Sequence, residues 1–182
     1  MAPLKTDLCR AFLEHWQSLR TGNALPRLQD FLSQPHPQLQ PNVALKDLVP
    51  PNLLRVRLFG TRLVDVVGVD LTGQNILDFA GNAEMAEALW WYHHTVATRP
   101  VGLASVKLAA TASGRAISFE DIELPLEPFP GGPLCVACCL GFVETLDFKD
   151  PMLRFDDHLS VRWIDIGWGV PATDTPPGAA EA

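Results

Sequence analysis

Three short groups of residues in this chain have types and spacings that could do chemistry. His93 and His94 are adjacent, Cys135, Cys138 and Cys139 crowd into one apolar segment, and Asp156-Asp157-His158 places three metal-ligand types in succession. A neutral imidazole can ligate haem iron, a Cys-x-x-Cys pair can hold zinc, and carboxylates with an imidazole suit a hard or borderline cation. Each group also has a plain structural reading. No second ligand pair stands at zinc-finger spacing from the cysteines. In an extended strand Cys138 and Cys139 point to opposite faces, while Cys135 and Cys139 share a face about 13 Å apart, too far to bridge. They read as reduced, buried small hydrophobes. Adjacent polar residues such as 156–158, in a loop, read as solvated surface. No Gly-x-Ser-x-Gly elbow, Gly-x-x-x-x-Gly-Lys cradle, His-Glu-x-x-His pair or Gly-x-Gly-x-x-Gly turn occurs. Nothing arranges Ser, His and Asp as nucleophile, base and orienter. The expectation is a protein that is not an enzyme, with no catalytic residue and no metal site.

Composition narrows the class further. The 182 residues are 47% hydrophobic and 19% charged, which suits one folded domain with a real core rather than a disordered chain. The net charge of −7 opposes binding to phosphate backbones, so no nucleic-acid partner is expected. No run approaches the roughly 18 apolar residues of a membrane span, and the N-terminus lacks the basic start and apolar core of a secretion signal. No membrane association and a cytoplasmic location are the expectations.

The elements that must position these residues follow from periodicity. Residues 6–21 repeat Leu8, Phe12, His15/Trp16 and Leu19 at helical steps, with Thr6 or Asp7 as cap and Gly22 as stop. Prolines 35, 37 and 41 make the next stretch a connector. Residues 43–48 and 54–60 read as strands around a Pro50-Pro51-Asn52 turn, with Leu54, Val56 and Leu58 on one face. Two short helical segments follow, 61–67 and 70–79. The clearest helix spans 82–98, capped by Asn82 and stopped by Arg99-Pro100. Strands at 101–111, 115–126 and 134–143 close the domain. The apolar parity of the second switches from Ile117/Phe119 to Ile122/Leu124/Leu126, which predicts a bulge near Glu120-Asp121. The third is apolar on both faces and must be covered on both sides, by the domain's own helices and by the N-terminal helix or a partner chain.

This order predicts an α+β fold: a five-stranded antiparallel sheet with helices on one face, plus an N-terminal helix. The domain plan is an N-terminal helix and proline-rich connector over 1–41, a core over 42–146, a C-terminal extension docking on that core over 147–169, and a disordered tail over 170–182. The long helix offers Met85, Leu89, Tyr92 and Val96 as an inward stripe, with His93 beside it and His94 facing outward. With Leu103 and Leu140 of the sheet, Met85, Leu89, Tyr92, His93 and Val96 form the candidate lining of a ligand cavity; the alternative is a filled core. Trp90 and Trp91 cannot both face inward, which favours a contact surface.

The order of elements resembles that of PAS domains. The resembling positions are Trp16, Leu19-Arg20, Gly22 and Leu25-Pro26, then Arg57-Leu-Phe-Gly60-Thr61, Gly68-Val-Asp70-Leu-Thr72-Gly73 and Glu123-Leu-Pro-Leu126. The match covers about residues 10–146 and is similar to a bacterial, alphaproteobacterial-type PAS family of largely unknown function. Physically, Gly60 and Gly68 suit turns with positive φ, Thr61 and Asp70 suit helix caps, and Arg57 suits a carboxylate partner. The resemblance implies a sensory, signalling or protein-interaction module, often a homodimer, without catalytic residues. It also implies output through a separate signalling protein. The dimer is expected to form through the N-terminal helix and outer sheet face. No cofactor is required; a small-molecule ligand or haem on His93 would make the domain a ligand sensor. A hotdog-like thioesterase, a sheet wrapped around the 82–98 helix, is the remaining alternative.

Overall fold

The computed structural model describes the backbone at residues 4–142 and 152–172 and the side chains at 4–142 and 160–172. Helix α1, Asp7–Ser18, begins where the Thr6 side chain accepts from the Cys9 amide at 3.3 Å. A short helix α2, Leu28–Ser33, follows, and the prolines expected to break it lead through a 3₁₀ turn at Gln40–Asn42. Then come β1 Val43–Val49, β2 Leu53–Phe59, α3 Thr61–Val67, a 3₁₀ turn Ile76–Phe79 and α4 Ala83–Thr98. Four strands end the described chain: β3 Gly102–Thr111, β4 Ala116–Leu126, β5 Leu134–Phe142 and β6 Met152–Ile164.

All six strands form one sheet, in the order β2-β1-β5-β4-β3-β6, with every neighbouring pair antiparallel. The sheet therefore has one strand more than the five expected. β6 pairs along β3 from Gly102↔Ile164 to Thr111↔Met152, so the extension continues the sheet edge rather than merely resting on the core. Asp156-Asp157-His158 falls within β6, not in a loop; its side chains lie outside the described residues. Most of the tail expected to be disordered, residues 173–182, lies outside them too.

The two faces of the sheet have separate covers. Phe12 and Trp16 of α1 are fully buried on one face, against Leu45, Ile122, Leu124, Leu126 and Ala137. The Trp16 indole N–H donates to the Pro125 carbonyl at 2.9 Å. The second cover required by the doubly apolar β5 is thus the chain's own N-terminal helix, and its apolar stripe is spent there. α3 and α4 cover the opposite face, where Val96 packs with Leu48, Leu54, Leu103 and Val136.

The facing of β2 and β4 differs from expectation. β4 pairs without interruption with both β3 and β5, so no bulge stands at Glu120-Asp121. Its parity switch has another cause: Asp121 and Glu123 occupy the α4-side positions that continue from Ile117 and Phe119, and both are buried carboxylates. Register shifts occur instead along the β3–β6 pairing and between β1 and β2, where Leu45 faces Leu58 but Lys46 faces Val56. One extra residue at Arg57 turns Leu58 to the α1 side, away from Leu54 and Val56. Arg57 and Arg55 both pair with the buried carboxylate of Asp47, at 2.8 and 3.0 Å.

The glycine motif also reads differently in three dimensions. Gly68 has φ +80° and closes α3 as expected. Gly60 has φ −62° and is itself the cap of α3; Thr61 is the first helical residue. The need at Gly60 is space, because a Cβ there would lie 2.4 Å from the Pro41 carbonyl oxygen. Asp70 turns the loop by accepting from the Thr72 amide at 2.9 Å, while Asn75 caps the next turn.

Candidate functional site

The space between α4 and the sheet is not lined by apolar groups alone. Strand alternation places Lys46 of β1, Ser105 and Lys107 of β3, Asp121 and Glu123 of β4 and Cys138 of β5 on the α4 side. His93 enters from above, because it and Val96 occupy the inward face of the C-terminal half of α4, and it is 2% exposed.

These groups are linked. The Lys46 ammonium lies 2.7 Å from His93 Nε2 and 3.2 Å from Glu123 Oε1. His93 Nδ1 lies 2.7 Å from the Leu89 carbonyl oxygen, which can only accept. That fixes the tautomer: Nδ1 carries the proton and donates to Leu89, and Nε2 accepts from Lys46. Lys46 thus donates to both His93 and Glu123, which lie 3.1 Å apart. Beside them Asp121 accepts from Lys107 at 2.6 Å and from the Ser105 hydroxyl. Two ammoniums face two carboxylates, so the network is neutral as a whole. The second oxygen of Glu123 is buried without a hydrogen-bond partner among the described residues.

Burial and charge act on these groups in opposite directions. Burial pushes the His93 imidazole below its usual value, and although Glu123 pulls it up, the Lys46 ammonium adds to the depression. Burial would raise Glu123, but the charge of His93 when protonated and the Lys46 ammonium outweigh it and hold the carboxyl well below the usual range. For Lys46 burial works downward, yet the negative charge of Cys138 when ionised and the carboxylates of Glu123 and Asp121 carry it above the usual lysine value. Burial pushes the thiols of Cys9, Cys135 and Cys138 up to about 12 and that of Cys139 higher still. All four cysteines are free and buried, as small core residues rather than reactive thiols.

The candidate cavity residues separate into three settings. His93 belongs to the charge network. Val96 and Leu103 are buried in the apolar cluster beside it, and Leu140 is half-buried between Val66, Phe119 and Leu63. Tyr92 lies edge-on to Trp91 and tilted against Trp163, and Met85 and Leu89 are half-buried towards the N-terminal end of α4. Trp90 and Trp91 are both half-buried, the latter edge-on to Trp163 at 5.8 Å. His94 faces outward.

Haem does not fit His93, since both ring nitrogens are engaged within the protein and Lys46 stands where iron would bind. Asp121, Glu123 and Cys138 have ligand atoms within 4.8 Å of one another. Lys46 and Lys107 already neutralise that pair of carboxylates, so a divalent cation would meet two ammoniums there. Sequence reasoning found His93 and missed its partners. The signal was the broken parity of β4, which two buried acids explain as well as a bulge does.

The family model described as "PAS domain" matches residues 4–141. Among solved structures, the PAS domain of Bordetella pertussis BvgS is 18% identical, covering 64% of this chain and 88% of that one, with a TM-score of 0.47. A light-oxygen-voltage domain studied with a flavin analogue is 16% identical over 58% of this chain and 78% of that one, TM-score 0.42. The blue-light photoreceptor Aureochrome1 LOV domain is 14% identical over 58% and 83%, TM-score 0.42. No curated protein matches the chain.

Proposed function

Because this chain belongs to the PAS domain family, we propose that it is a sensory or signalling module that acts by protein contact, with its interior given to a charge network rather than to a haem or flavin. The observation that carries this reading is the Lys46–His93–Glu123 linkage. It joins α4 to β1 and β4 across the interior by groups that cannot part without stranding a buried charge. On this reading, engagement and release of α4 are the two arrangements that a signal would bias. The receiver is a second copy of the chain or a separate signalling protein in the same cytoplasmic compartment, and no catalysis is involved. α1 is already seated on its own sheet, so a second copy would meet the outer side of α1 or the edge strands.

The spectrum and native mass of the purified protein test this directly. The expected outcome is no Soret or flavin band and no prosthetic group retained between α4 and the sheet. A stoichiometric chromophore would overturn the reading. Turnover of an acyl-thioester panel would overturn it as well, and the hotdog-like fold is already set aside by helices on both faces of the sheet.

A further inference from the structure

The chain leaves β6 beside the C-terminal end of α1. Ile164 and Ile166 are buried in the same cluster as Phe12 and Trp16, so the end of β6 is anchored on the α1 side of the sheet. Asp165 and residues 167–170 are exposed. A tight turn is built into this exposed stretch. Asp165 Oδ1 accepts from the Gly167 and Gly169 amides at 2.8 and 3.0 Å. Both glycines have positive φ, +115° and +83°, which the turn requires.

Arg20, just beyond α1, takes hold of that turn. Its guanidinium lies 4.6 Å from the centre of the Trp168 ring and 5.5 Å from that of Trp16. It donates through one terminal nitrogen to the Ile166 carbonyl at 2.7 Å and through Nε to the Ala24 carbonyl at 3.2 Å, which aims the group. A planar guanidinium can donate along its edge and stack on its face at once; an ammonium cannot. The two indoles differ in burial. Trp16 is fully buried and its N–H is spent on Pro125, whereas Trp168 is 42% exposed, so Trp168 is the side free to move. Opening strands no buried charge, because Arg20 is only half-buried and already meets water. A cation–π contact at an exposed ring with one charged hydrogen bond is a weak closure, and an open form on the order of 1% populated follows from contacts of that size.

We propose that residues 167–172 form a releasable strap, closed by Arg20 on Trp168, that couples the C-terminal end of the sheet to the N-terminal helix. Displacing the end of α1 carries Arg20 away from Trp168 and frees the strap; drawing the strap away removes the partner that steadies the last turn of α1. Such a coupling acts equally in both directions. The strap lies beyond the residues that the family model matches, and on the opposite side of the sheet from the charge network, so it works however that network is used.

Backbone amide relaxation on the full chain tests this. In the native chain, dispersion on the microsecond-to-millisecond scale is expected at Gly167, Gly169 and Val170 and at residues 17–20, with one shared rate constant. Arg20→Lys keeps the charge but loses the stacked fork. It should lower the order parameters of residues 167–170 from about 0.85 to below about 0.6, with β1 and β5 unchanged. Trp168→Ala, at an exposed position, leaves no closed form, so the dispersion at residues 17–20 should disappear. Absence of dispersion in the native chain, different rates at the two ends, or a strap that stays rigid in Arg20→Lys would each overturn the proposal. So would dispersion that persists at residues 17–20 in Trp168→Ala, or loss of order across the whole sheet in Arg20→Lys.

Discussion

Glu123 is 1% exposed, charged, and answers the Lys46 ammonium. Breaking one member of a buried pair is far costlier than removing both, because the survivor keeps its desolvation penalty. Glu123→Gln is therefore expected to destabilise the fold by about 3–5 kcal/mol. Adding Lys46→Met should restore a large part of that loss, and chemical denaturation of the two variants gives the comparison. The same groups set an acid limit. His93 has a depressed folded value, so the unfolded chain takes up its proton first and stability declines as pH falls below about 6.5. Glu123 is also depressed, so its contribution is present above about 4.3 and is lost as pH falls towards its folded value. The urea midpoint should hold at neutral pH, decline below about 6.5 and decline more steeply below about 4.3. A midpoint unchanged between pH 7 and 5 would show that His93 is not held neutral.

At the scale of elements, α1 is anchored by a carboxylate that sequence patterning could not assign. Glu120, 1% exposed, accepts from the Lys5 and Thr6 amides at 2.9 and 2.8 Å and from the Thr6 hydroxyl at 3.0 Å. An anion at a helix N-terminus satisfies free amides there and meets the positive end of the dipole. The close approach depends on Gly141, where a Cβ would lie 2.2 Å from Thr6 Oγ1. Gly141→Ala should push the cap off Glu120, costing about 1–3 kcal/mol by overpacking. Amide exchange would then rise first in residues 7–12, while β1 and β2 stay protected. Equal loosening of the whole sheet would mean α1 is not separately held.

How much was legible in the sequence depends on the kind of signal. Helical periodicity and caps placed α1 and α4 within a few residues, and strand alternation found β1 to β5. Alternation failed where polarity and facing direction part company. Asp121 and Glu123 looked outward by type yet face inward, so β4 seemed bulged; Leu54, Val56 and Leu58 looked co-facial, although an extra residue at Arg57 separates the last. Side-chain type reports burial only when polar groups are solvated, and here Lys46, Asp121 and Glu123 are paired inside instead. The partners of His93 come from strands 30 to 47 residues away, and no local pattern carries such a contact. β6 was hidden because its polar Asp-Asp-His run reads as loop, while edge-strand pairing with β3 satisfies its backbone regardless of side-chain type.

At the scale of the whole molecule, a sheet with different covers on its two faces divides the protein into an α4 side tied by charge and an α1 side packed by apolar side chains. The long helix is held to the sheet by an imidazole that must stay neutral and directional. Long-range proton–nitrogen NMR of the histidine side chains measures that state without disturbing it. The account predicts that the buried imidazole of His93 carries its proton on Nδ1, exchanges slowly with water and keeps a bare Nε2 through neutral pH. A ring protonated on Nε2, or one that gains a second proton between pH 7 and about 6 as an ordinary histidine does, would contradict it.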